Sequence, residues 1–427
     1  MRALVLGYGR SGKAAEALLK TRGAEAVVLA DDERDRIEGE GFDFAVVSPG
    51  IALTHPWIVE AKRRGIPLKS ELQLGCEELK RQGWKLLAVT GSKGKSSVVK
   101  VVADAINLAG MKAVACGNYG LPVCEVANSN TQTLRGSNTE RWAVVEVSSF
   151  MMETTELPAD TFTAAAILNL QEDHLDRHGC VETYHGLKRK LLTMTKIPLD
   201  YSGERSWNDL FRHGQDGGDE LWGCSYYGGS YFDNEILIVN GAAATSLMEV
   251  AGVDEKTIRR AFADFVPLSH RMNRIATIDG VEYIDDSKAT SLAALEAGVK
   301  MSWSGPSGLR KLVAKFGFPW RRRVLLIAGG LPKGDDPKTA VPALTERVKK
   351  VYLIGQSAEA FFAAWNGAVD CEICGTMDRA VKAAKREAEK GETVLLSPGT
   401  ASFDQFRSYG ERGDVFARLV KKEGQPK

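Results

Sequence analysis

The sequence predicts an α/β protein of three domains, each built on a parallel β-sheet with helices on its faces. Short apolar runs of the kind that form buried strands alternate with longer stretches that have the spacing of amphipathic helices. This alternation recurs in three successive blocks, and glycine-rich turns join a strand to a helix in the first two blocks. A chain of 427 residues is long enough for each block to bury its own core.

The first block, residues 1–82, is predicted to be a Rossmann-like domain. It opens with the strand RALVLG, the turn GYGRSG and a helix, and further strands follow at VVLADD and FAVVSPG. Gly7, Gly9 and Gly12 form a GxGxxG pattern, and Asp31 ends the second strand, near the place where an acid that binds ribose is expected. Such a turn can bind a pyrophosphate at a helix N-terminus. By itself it leaves open whether the ligand is NAD, a UDP-sugar or none.

The second block, residues 83–266, is predicted to be an α/β domain of the P-loop ATPase type, because AVTGSKGKSS joins an apolar strand to a helix. A glycine-rich turn there exposes backbone N–H groups to an anion. Lys95 would add a positive charge, and the hydroxyl of Ser96 would ligate Mg²⁺. Only two residues separate Gly91 from Gly94, whereas the usual phosphate loop has four residues before its Gly-Lys pair.

Two further strands of this block end in polar residues. WAVVEVSS contains Glu146, a carboxylate placed where the metal of a phosphate site would need one, and His174 follows the strand TAAAILNL among acidic residues. Because ligands bind at the carboxyl ends of parallel strands, these side chains are candidates for the same site as the glycine turn.

The third block, residues 267–427, is predicted to be a second Rossmann-like domain. Strands at VEYIDD, RVLLIAGG, KVYLIG and TVLLSPG are separated by helical stretches such as MDRAVKAAKREAEKG. Residues 301–323 contain six basic side chains and no acid. We expect them to form a solvated surface insertion, with a patch for phosphate or for a partner as the alternative.

The composition argues against several classes of protein. A formal charge of +1 gives the whole chain no attraction to nucleic acid, and no apolar run is long enough to cross a membrane. The seven cysteines are odd in number and mostly scattered, which predicts a reducing, cytoplasmic location. Cys371 and Cys374 form a CxxC pair that we expect to pack in the core at the end of a strand.

Several short motifs occur together in the order and spacing of the Mur ligases. They are GSKGKSS, GNYG, EVSSF, EDHLDRHG, YHGLK, HRMN, DDSKATS, GGLPKG and SPGTASFDQF. The chain resembles this family from its first residues to about residue 420.

The resemblance implies an ATP-dependent ligase of peptidoglycan precursor synthesis. The SKAT and SPGTASFDQF segments favour those family members that join D-glutamate to UDP-N-acetylmuramoyl-L-alanine, through an acyl phosphate and a tetrahedral intermediate. The UDP-substrate is then assigned to residues 1–82, ATP to residues 83–266, and the amino acid to residues 267–427, a domain that closes on the nucleotide. The implied partners are small molecules, and the protein is expected to be a monomer.

The resemblance also implies the roles of individual residues. The catalytic residues are Lys95, Glu146, His174 and Lys188. Two Mg²⁺ ions are expected on Ser96, Glu146, His174 and Lys188, the last as a carbamate. The ATP contacts are Gly91, Ser92, Lys93, Gly94, Lys95, Ser96, Ser97, Asn240, Arg271 and Asp286. The UDP-substrate contacts are Ser11, Gly12, Asp31, Asp32, Asn118 and Ser148. The D-glutamate contacts are Lys288, Thr290, Lys333, Ser402 and Tyr409.

Four positions depart from the usual residue of the family, and they keep other functions open. Lys93, Leu237, Asn273 and Tyr409 stand where Asn, Asn, Glu and Phe are common. The first three departures are compatible with a non-catalytic protein that binds a nucleotide or is regulated by a partner. The N-terminal turn alone would suit a nicotinamide oxidoreductase, which has no use for GKSS, EDHLDRHG or SKAT. Another Mur ligase or a folylpolyglutamate synthase is the remaining alternative; the GxGxxG block argues against the folate enzyme, and SKAT and ASFDQF argue against the other Mur ligases.

Overall fold

The computed structural model describes residues 1–30, 37–129, 139–203, 230–232, 237–302 and 323–422. It confirms the α/β class, since the described strands form three sheets in which nearly all neighbouring strands are parallel. Asp31 and Asp32 lie outside the described residues, as does the basic insertion except for its first two residues and Arg323.

The N-terminal sheet has four parallel strands in the order β2-β1-β3-β4. Its strands are β1 (Arg2–Leu6), β2 (Glu25–Leu29), β3 (Phe44–Val47) and β4 (Leu68–Ser70). Its helices are α1 (Arg10–Thr21), α2 (Pro56–Arg63) and α3 (Glu71–Arg81). The GxGxxG turn lies between β1 and α1. A Cβ atom on Gly12 would collide with the carbonyl oxygen of Gly7, so only glycine permits the turn to pack this closely on the helix.

The central sheet has five parallel strands in the order β6-β7-β5-β8-β9. Its strands are β5 (Lys85–Thr90), β6 (Lys112–Gly117), β7 (Arg141–Glu146), β8 (Phe162–Ile167) and β9 (Thr195–Asp200). The helices of this region are α4 (Lys95–Leu108), α5 (Val123–Ser129), α6 (Ser149–Met152), α7 (Leu175–His178), α8 (Val181–Lys190), α9 (Ile238–Val250) and α10 (Glu255–Ala263). Strand β5 occupies the middle of the sheet and is buried from its second residue on, as expected for a continuous apolar run in a parallel sheet.

The C-terminal sheet has six strands in the order β10-β11-β15-β12-β13-β14. Its strands are β10 (Asn273–Ile278), β11 (Val281–Asp285), β12 (Val324–Gly329), β13 (Val348–Ile354), β14 (Asp370–Gly375) and β15 (Thr393–Leu396). Its helices are α11 (Leu292–Met301), α12 (Val341–Arg347), α13 (Ala358–Trp365), α14 (Met377–Glu387) and α15 (Tyr409–Lys422). β10 pairs antiparallel with β11 at the edge of the sheet, an addition to the purely parallel pattern that the sequence predicts.

The described chain divides into two compact units by its internal contacts. The first contains residues 1–227 and 239–264, and the second contains residues 228–238 and 265–427. The N-terminal and central sheets share the first unit because one hydrophobic core runs through both, and α1 and α3 pack against α5. In the second unit, separate cores cover the two faces of the C-terminal sheet. The three predicted domain ranges stay a prediction.

Both cysteines of the CxxC pair are buried in the core packing of the C-terminal sheet, as predicted. Cys371 belongs to the core on one face of the C-terminal sheet and Cys374 to the core on the other face, because residues three apart on a strand point in opposite directions. Burial raises the pKa of each thiol to about 11. Among the helices of the described ranges, none combines the length and apolar character that a membrane span needs.

Candidate active site

The glycine turn after β5 is held in a conformation that requires glycine. Gly91 and Gly94 both have positive φ angles, of 151° and 86°. A Cβ atom on Gly94 would collide with the amide nitrogen of Asn240, a buried residue of α9. The turn leads directly into α4, whose first-turn N–H groups have no partner within the helix. Ser96 and Ser97 lie in this first turn, so the turn provides an anion-binding helix N-terminus.

Two lysines converge on one carbonyl oxygen of the turn. The ammonium of Lys95 donates to the carbonyl oxygens of Gly91, at 2.7 Å, and of Ser92, at 3.1 Å. The ammonium of Lys188, on α8, donates to the same Gly91 oxygen at 2.9 Å. Lys188 is only 2% exposed, and this burial, together with the nearby charge of Lys95, lowers its pKa to about 7.

Residues after β8 hold the turn in place, and the sequence analysis did not identify them. The amide of Asn169 accepts from the backbone N–H of Lys93 at 2.9 Å and donates to the carbonyl oxygen of Lys93 at 2.9 Å. The hydroxyl of Ser92 contacts the backbone of Gln171 and accepts from the Tyr184 hydroxyl at 3.1 Å. The side chain of Lys93 is exposed, so this departure from the family leaves the backbone contacts unaffected.

Glu146 ends β7, which is the neighbour of β5 in the sheet. Its side chain is 2% exposed, and one carboxylate oxygen accepts from the Asn118 amide at 2.8 Å. No described group hydrogen-bonds to the other oxygen, Oε2, although it is buried. An unpaired buried carboxylate oxygen is costly unless a cation compensates it. Carboxylate and hydroxyl oxygens are the ligands that Mg²⁺ prefers, so Glu146 and Ser96 fit this ion.

His174 precedes the short helix α7 and adopts a left-handed backbone conformation, with φ of 53°. Its backbone N–H donates to the Asp173 carboxylate at 3.0 Å, and its half-exposed ring lies 4.8 Å from the ring of Phe150. Within the described ranges, no three His, Cys, Asp or Glu side chains form a cluster that could hold a metal ion.

The predicted UDP-substrate residues fall into two groups. Ser11 and Gly12 lie in the first turn of α1, which has no acidic residue and whose N-cap, Gly9, provides no side-chain cap. Asn118 instead orients Glu146, and the Ser148 hydroxyl caps α6 by accepting from the N–H of Met151 at 3.3 Å. The structure thus gives these two residues contacts that the sequence did not predict.

Four of the predicted D-glutamate residues lie on loops at the carboxyl edge of the C-terminal sheet, and the fifth, Tyr409, begins α15. The ammonium of Lys288 lies 3.8 Å from the centre of the Tyr409 ring. Leu331 and Ala401 pair through two backbone hydrogen bonds, which joins the loop of Lys333 to the loop of Ser402. The remaining members of the set differ in exposure: Ser402 is buried, Thr290 is partly buried and Lys333 is exposed.

Asp286 and Arg271 belong to the same unit. The Asp286 carboxylate accepts from the Ser397 hydroxyl at 2.9 Å and from the N–H of Met272 at 3.2 Å. Burial raises the pKa of Asp286 to about 7. Arg271 lies in the loop before β10, a strand that begins at the departure Asn273. Leu237, another of the four positions that depart from the usual residue of the family, is buried, as its apolar side chain favours.

A buried arginine that the sequence analysis missed joins the loops of the C-terminal site. Arg412, on α15, is 0% exposed and hydrogen-bonds to Ser287, Thr400 and Ala401. These residues immediately precede Lys288 and Ser402 along the chain. Sequence periodicity provides a signal, because Arg412 shares a four-residue spacing with the buried Phe416 and Val420.

The chain is similar to known proteins over nearly its whole length. The Mur ligase middle domain matches residues 89–199, and the Mur ligase glutamate ligase domain matches residues 270–399. A UDP-N-acetylmuramoylalanine–D-glutamate ligase from Acidobacterium capsulatum is 32% identical, with 98% of this chain and 95% of the relative covered. A ligase of the same name from Chlamydia caviae is 31% identical, with 98% and 97% covered.

Solved structures show the same fold at low identity. A UDP-N-acetylmuramate–alanine ligase from Thermotoga maritima is 15% identical, with a TM-score of 0.55 and 99% of both chains covered. The MurF ligase from Thermotoga maritima in complex with ADP is 17% identical, with a TM-score of 0.54 and 92% and 97% covered. Together with the sequence relatives, these findings establish that the chain belongs to the Mur ligase family and is an ATP-dependent ligase of peptidoglycan synthesis.

Proposed function

We propose that the protein joins D-glutamate to UDP-N-acetylmuramoyl-L-alanine, with conversion of ATP to ADP and phosphate. The observation that carries the proposal is the convergence of Lys95 and Lys188 on the Gly91 carbonyl, next to the strand that ends at Glu146. This arrangement suits the transfer of a phosphoryl group. The relatives named for this reaction, at 31–32% identity over nearly the whole chain, support the choice of amino acid.

The chemistry has two steps. A carboxylate is a poor electrophile, so one of its oxygens first bonds to the γ-phosphorus of ATP while the bond from that phosphorus to ADP breaks. The D-glutamate nitrogen, after losing a proton, then bonds to the acyl carbon, and the tetrahedral intermediate releases phosphate as its C–O bond breaks. Negative charge gathers on the phosphoryl oxygens in the first step, and Lys95 is positioned to stabilise it.

Ser96, Glu146, His174 and Lys188 would hold two Mg²⁺ ions in this proposal. Bound Mg²⁺ would neutralise charge on the phosphoryl oxygens and so assist their transfer. The Oε2 atom of Glu146 is buried and has no hydrogen-bond partner among the described residues, which supports its role as a metal ligand. Lys188 would act as a carbamate, which only the neutral amine can form with CO₂. Its pKa of about 7 leaves a large share of the amine neutral at physiological pH.

The other predicted contacts complete the proposal. Ser11 and Gly12 would bind the diphosphate of the UDP-substrate at the start of α1, and Asp31 and Asp32 would lie near its uracil. Asn240 would contact adenine, Arg271 phosphate and Asp286 ribose. D-Glutamate carries two carboxylates, which suits a site with two lysines and several hydroxyl groups. Those contacts are Lys288, Thr290, Lys333, Ser402 and Tyr409.

An ADP-release assay with a panel of amino acids tests the proposal. With UDP-N-acetylmuramoyl-L-alanine and Mg²⁺ present, we expect ADP release with D-glutamate and only background release with L-glutamate, L-alanine or diaminopimelate. Release with L-alanine and UDP-N-acetylmuramate, or with L-glutamate and a folate acceptor, would instead identify the protein as one of the alternative ligases. Mass spectrometry of the product checks that an amide has formed.

A further inference from the structure

The guanidinium of Arg412 is a buried positive charge with an unusual set of partners. Its Nε donates to the Ser287 hydroxyl at 3.0 Å and its Nη2 to the Ser287 carbonyl oxygen at 2.9 Å. Nη1 donates to the carbonyl oxygens of Thr400 and Ala401, both at 3.2 Å. All these acceptors are uncharged. Burial lowers the pKa of Arg412 to about 10, so the side chain remains a cation at neutral pH.

The acceptors belong to two loops that are far apart in sequence. Ser287 directly precedes Lys288 in the loop after β11, and Ala401 directly precedes Ser402 in the loop after β15. The Ser287 hydroxyl also donates to the carbonyl oxygen of Tyr409 at 2.8 Å. One side chain therefore connects the three segments that contain four of the five predicted D-glutamate contacts.

The surroundings are shaped for a forked side chain. A Cβ atom on Gly330 would lie 3.2 Å from Nη1 of Arg412 and would collide with the Ala401 carbonyl oxygen. A guanidinium presents several N–H groups in a fixed plane and can bond to both loops at once, whereas an ammonium is a single point charge. The shape and the charge of Arg412 are thus both used.

We propose that Arg412 is a positioning residue for the amino acid substrate: it fixes the Lys288 loop relative to the Ser402 loop, and so sets the distance between the groups that bind the two carboxylates. The inference rests on the proposed D-glutamate site. A displacement of about 1 Å in such a site can lower the rate by about 10²-fold, which makes the separation of the loops important for catalysis.

Steady-state kinetics of Arg412→Lys and Arg412→Ala test this role. We expect Arg412→Lys, which keeps the charge and loses the fork, to raise KM for D-glutamate about 10-fold or more, with KM for ATP changed less than about 3-fold. Guanidinium ion at millimolar concentration should partly restore Arg412→Ala. The control is Arg418→Lys, an exposed arginine on the same helix, which should match the unaltered protein.

A second variant covers the case in which Arg412 is needed for folding. Ser287→Ala removes the hydroxyl that links Arg412 to Tyr409 and should raise KM for D-glutamate several-fold, with little change in melting temperature. Arg412 or Ser287 variants that melt at lower temperature but keep the original KM for D-glutamate would show a purely structural role and overturn the inference. If the unaltered protein does not use D-glutamate, the proposed function itself fails, which is a separate and recognisable result.

Discussion

Buried or half-buried cations bond to the backbone of the glycine turn after β5 and of the loops after β11 and β15, but the hydrogen bonds of the two regions are arranged differently. In the central sheet, two ammonium groups share the carbonyl oxygen of Gly91, and a nearby carboxylate has an oxygen without a hydrogen-bond partner among the described residues. In the C-terminal sheet, the guanidinium of Arg412 bonds to a full set of neutral acceptors.

The difference separates two uses of charge. Two cations that share one acceptor repel each other. This repulsion helps to lower the pKa of Lys188, as the proposed carbamate requires, and it lets Lys95 gain free energy when an anion arrives. A cation whose N–H groups are all directed at neutral acceptors of the protein, most of them backbone carbonyls, gains little from a new partner, but it holds the backbone in place. The contrast therefore favours a catalytic role for the central cations and the positioning role proposed above for Arg412.

The largest effect is expected from Lys95→Ala. Loss of this ammonium removes a contact to the charge that develops on the phosphoryl group, and a single preorganised contact of this kind is worth roughly 3–4 kcal/mol. We therefore expect the turnover number to fall about 10³-fold, measured as ADP release with all substrates saturating.

The matched control is Lys100→Ala on the same helix. Lys100 pairs with Asp104 at 2.7 Å, away from the glycine turn, and its loss should leave turnover within about twofold. A Lys95→Ala protein that keeps a near-normal rate would rule out the role of the central cations in catalysis and remove the contrast between the two regions.

The next effect concerns the second central lysine. Lys188→Ala should lower turnover about 10²-fold, because the proposed carbamate ligand is lost. A short-chain carboxylate such as acetate is expected to restore part of the activity by supplying an oxygen ligand in the cavity. Lys190→Ala is the control, since Lys190 pairs with Glu156 at the surface. Absence of rescue at any carboxylate concentration would argue against the carbamate.

The central site was largely predictable from sequence, because its features are local. Strand, glycine turn and helix are consecutive, so the pattern placed Gly91 directly after β5, Lys95 at the start of α4 and Glu146 at the end of β7, where the structure has them. Asn169 and Tyr184 were missed because their contacts with the turn depend on β8 lying beside β5 and on the packing of α8, which no local pattern encodes.

The C-terminal site was harder to predict, because its contacts join segments that are far apart in the sequence. Its loops come from strands separated by more than a hundred residues, and their connection depends on one arginine among several charged residues of α15. The antiparallel strand β10 was also missed, because NRIATI is only partly buried and lacks a continuous apolar run. Long-range polar contacts are thus what sequence patterns leave undetermined.

Two buried groups should give the two units opposite responses to pH. Asp286, in the second unit, has its pKa raised to about 7, so the folded state keeps a proton that the unfolded state loses above pH 4, and stability falls as pH rises from about 4 to 7. In the unaltered protein the free energy of unfolding should fall by about 1.4 kcal/mol per pH unit over this range. In Asp286→Asn this fall should be absent. Urea unfolding between pH 4 and 10, followed by circular dichroism, measures the pH dependence of stability for this group and for the next one.

The first unit should show the reverse trend. The pKa of Lys188 is lowered to about 7, so the unfolded state binds the extra proton and stability rises with pH from about 7 to 10. Lys188→Met should remove that rise. Identical pH profiles for the two variants and the unaltered protein would contradict the view that these charges are buried without full compensation.

The smallest effect is expected at Lys93, where the family usually has asparagine. Its backbone N–H and carbonyl oxygen are both held by the Asn169 amide, while its side chain points away from the turn's hydrogen bonds and is exposed. Lys93→Asn should therefore change turnover less than about threefold, whereas Asn169→Ala should lower it more, since it releases the backbone of the turn. The reverse order in ADP-release assays would mean that the Lys93 charge, rather than the backbone geometry, acts on the nucleotide.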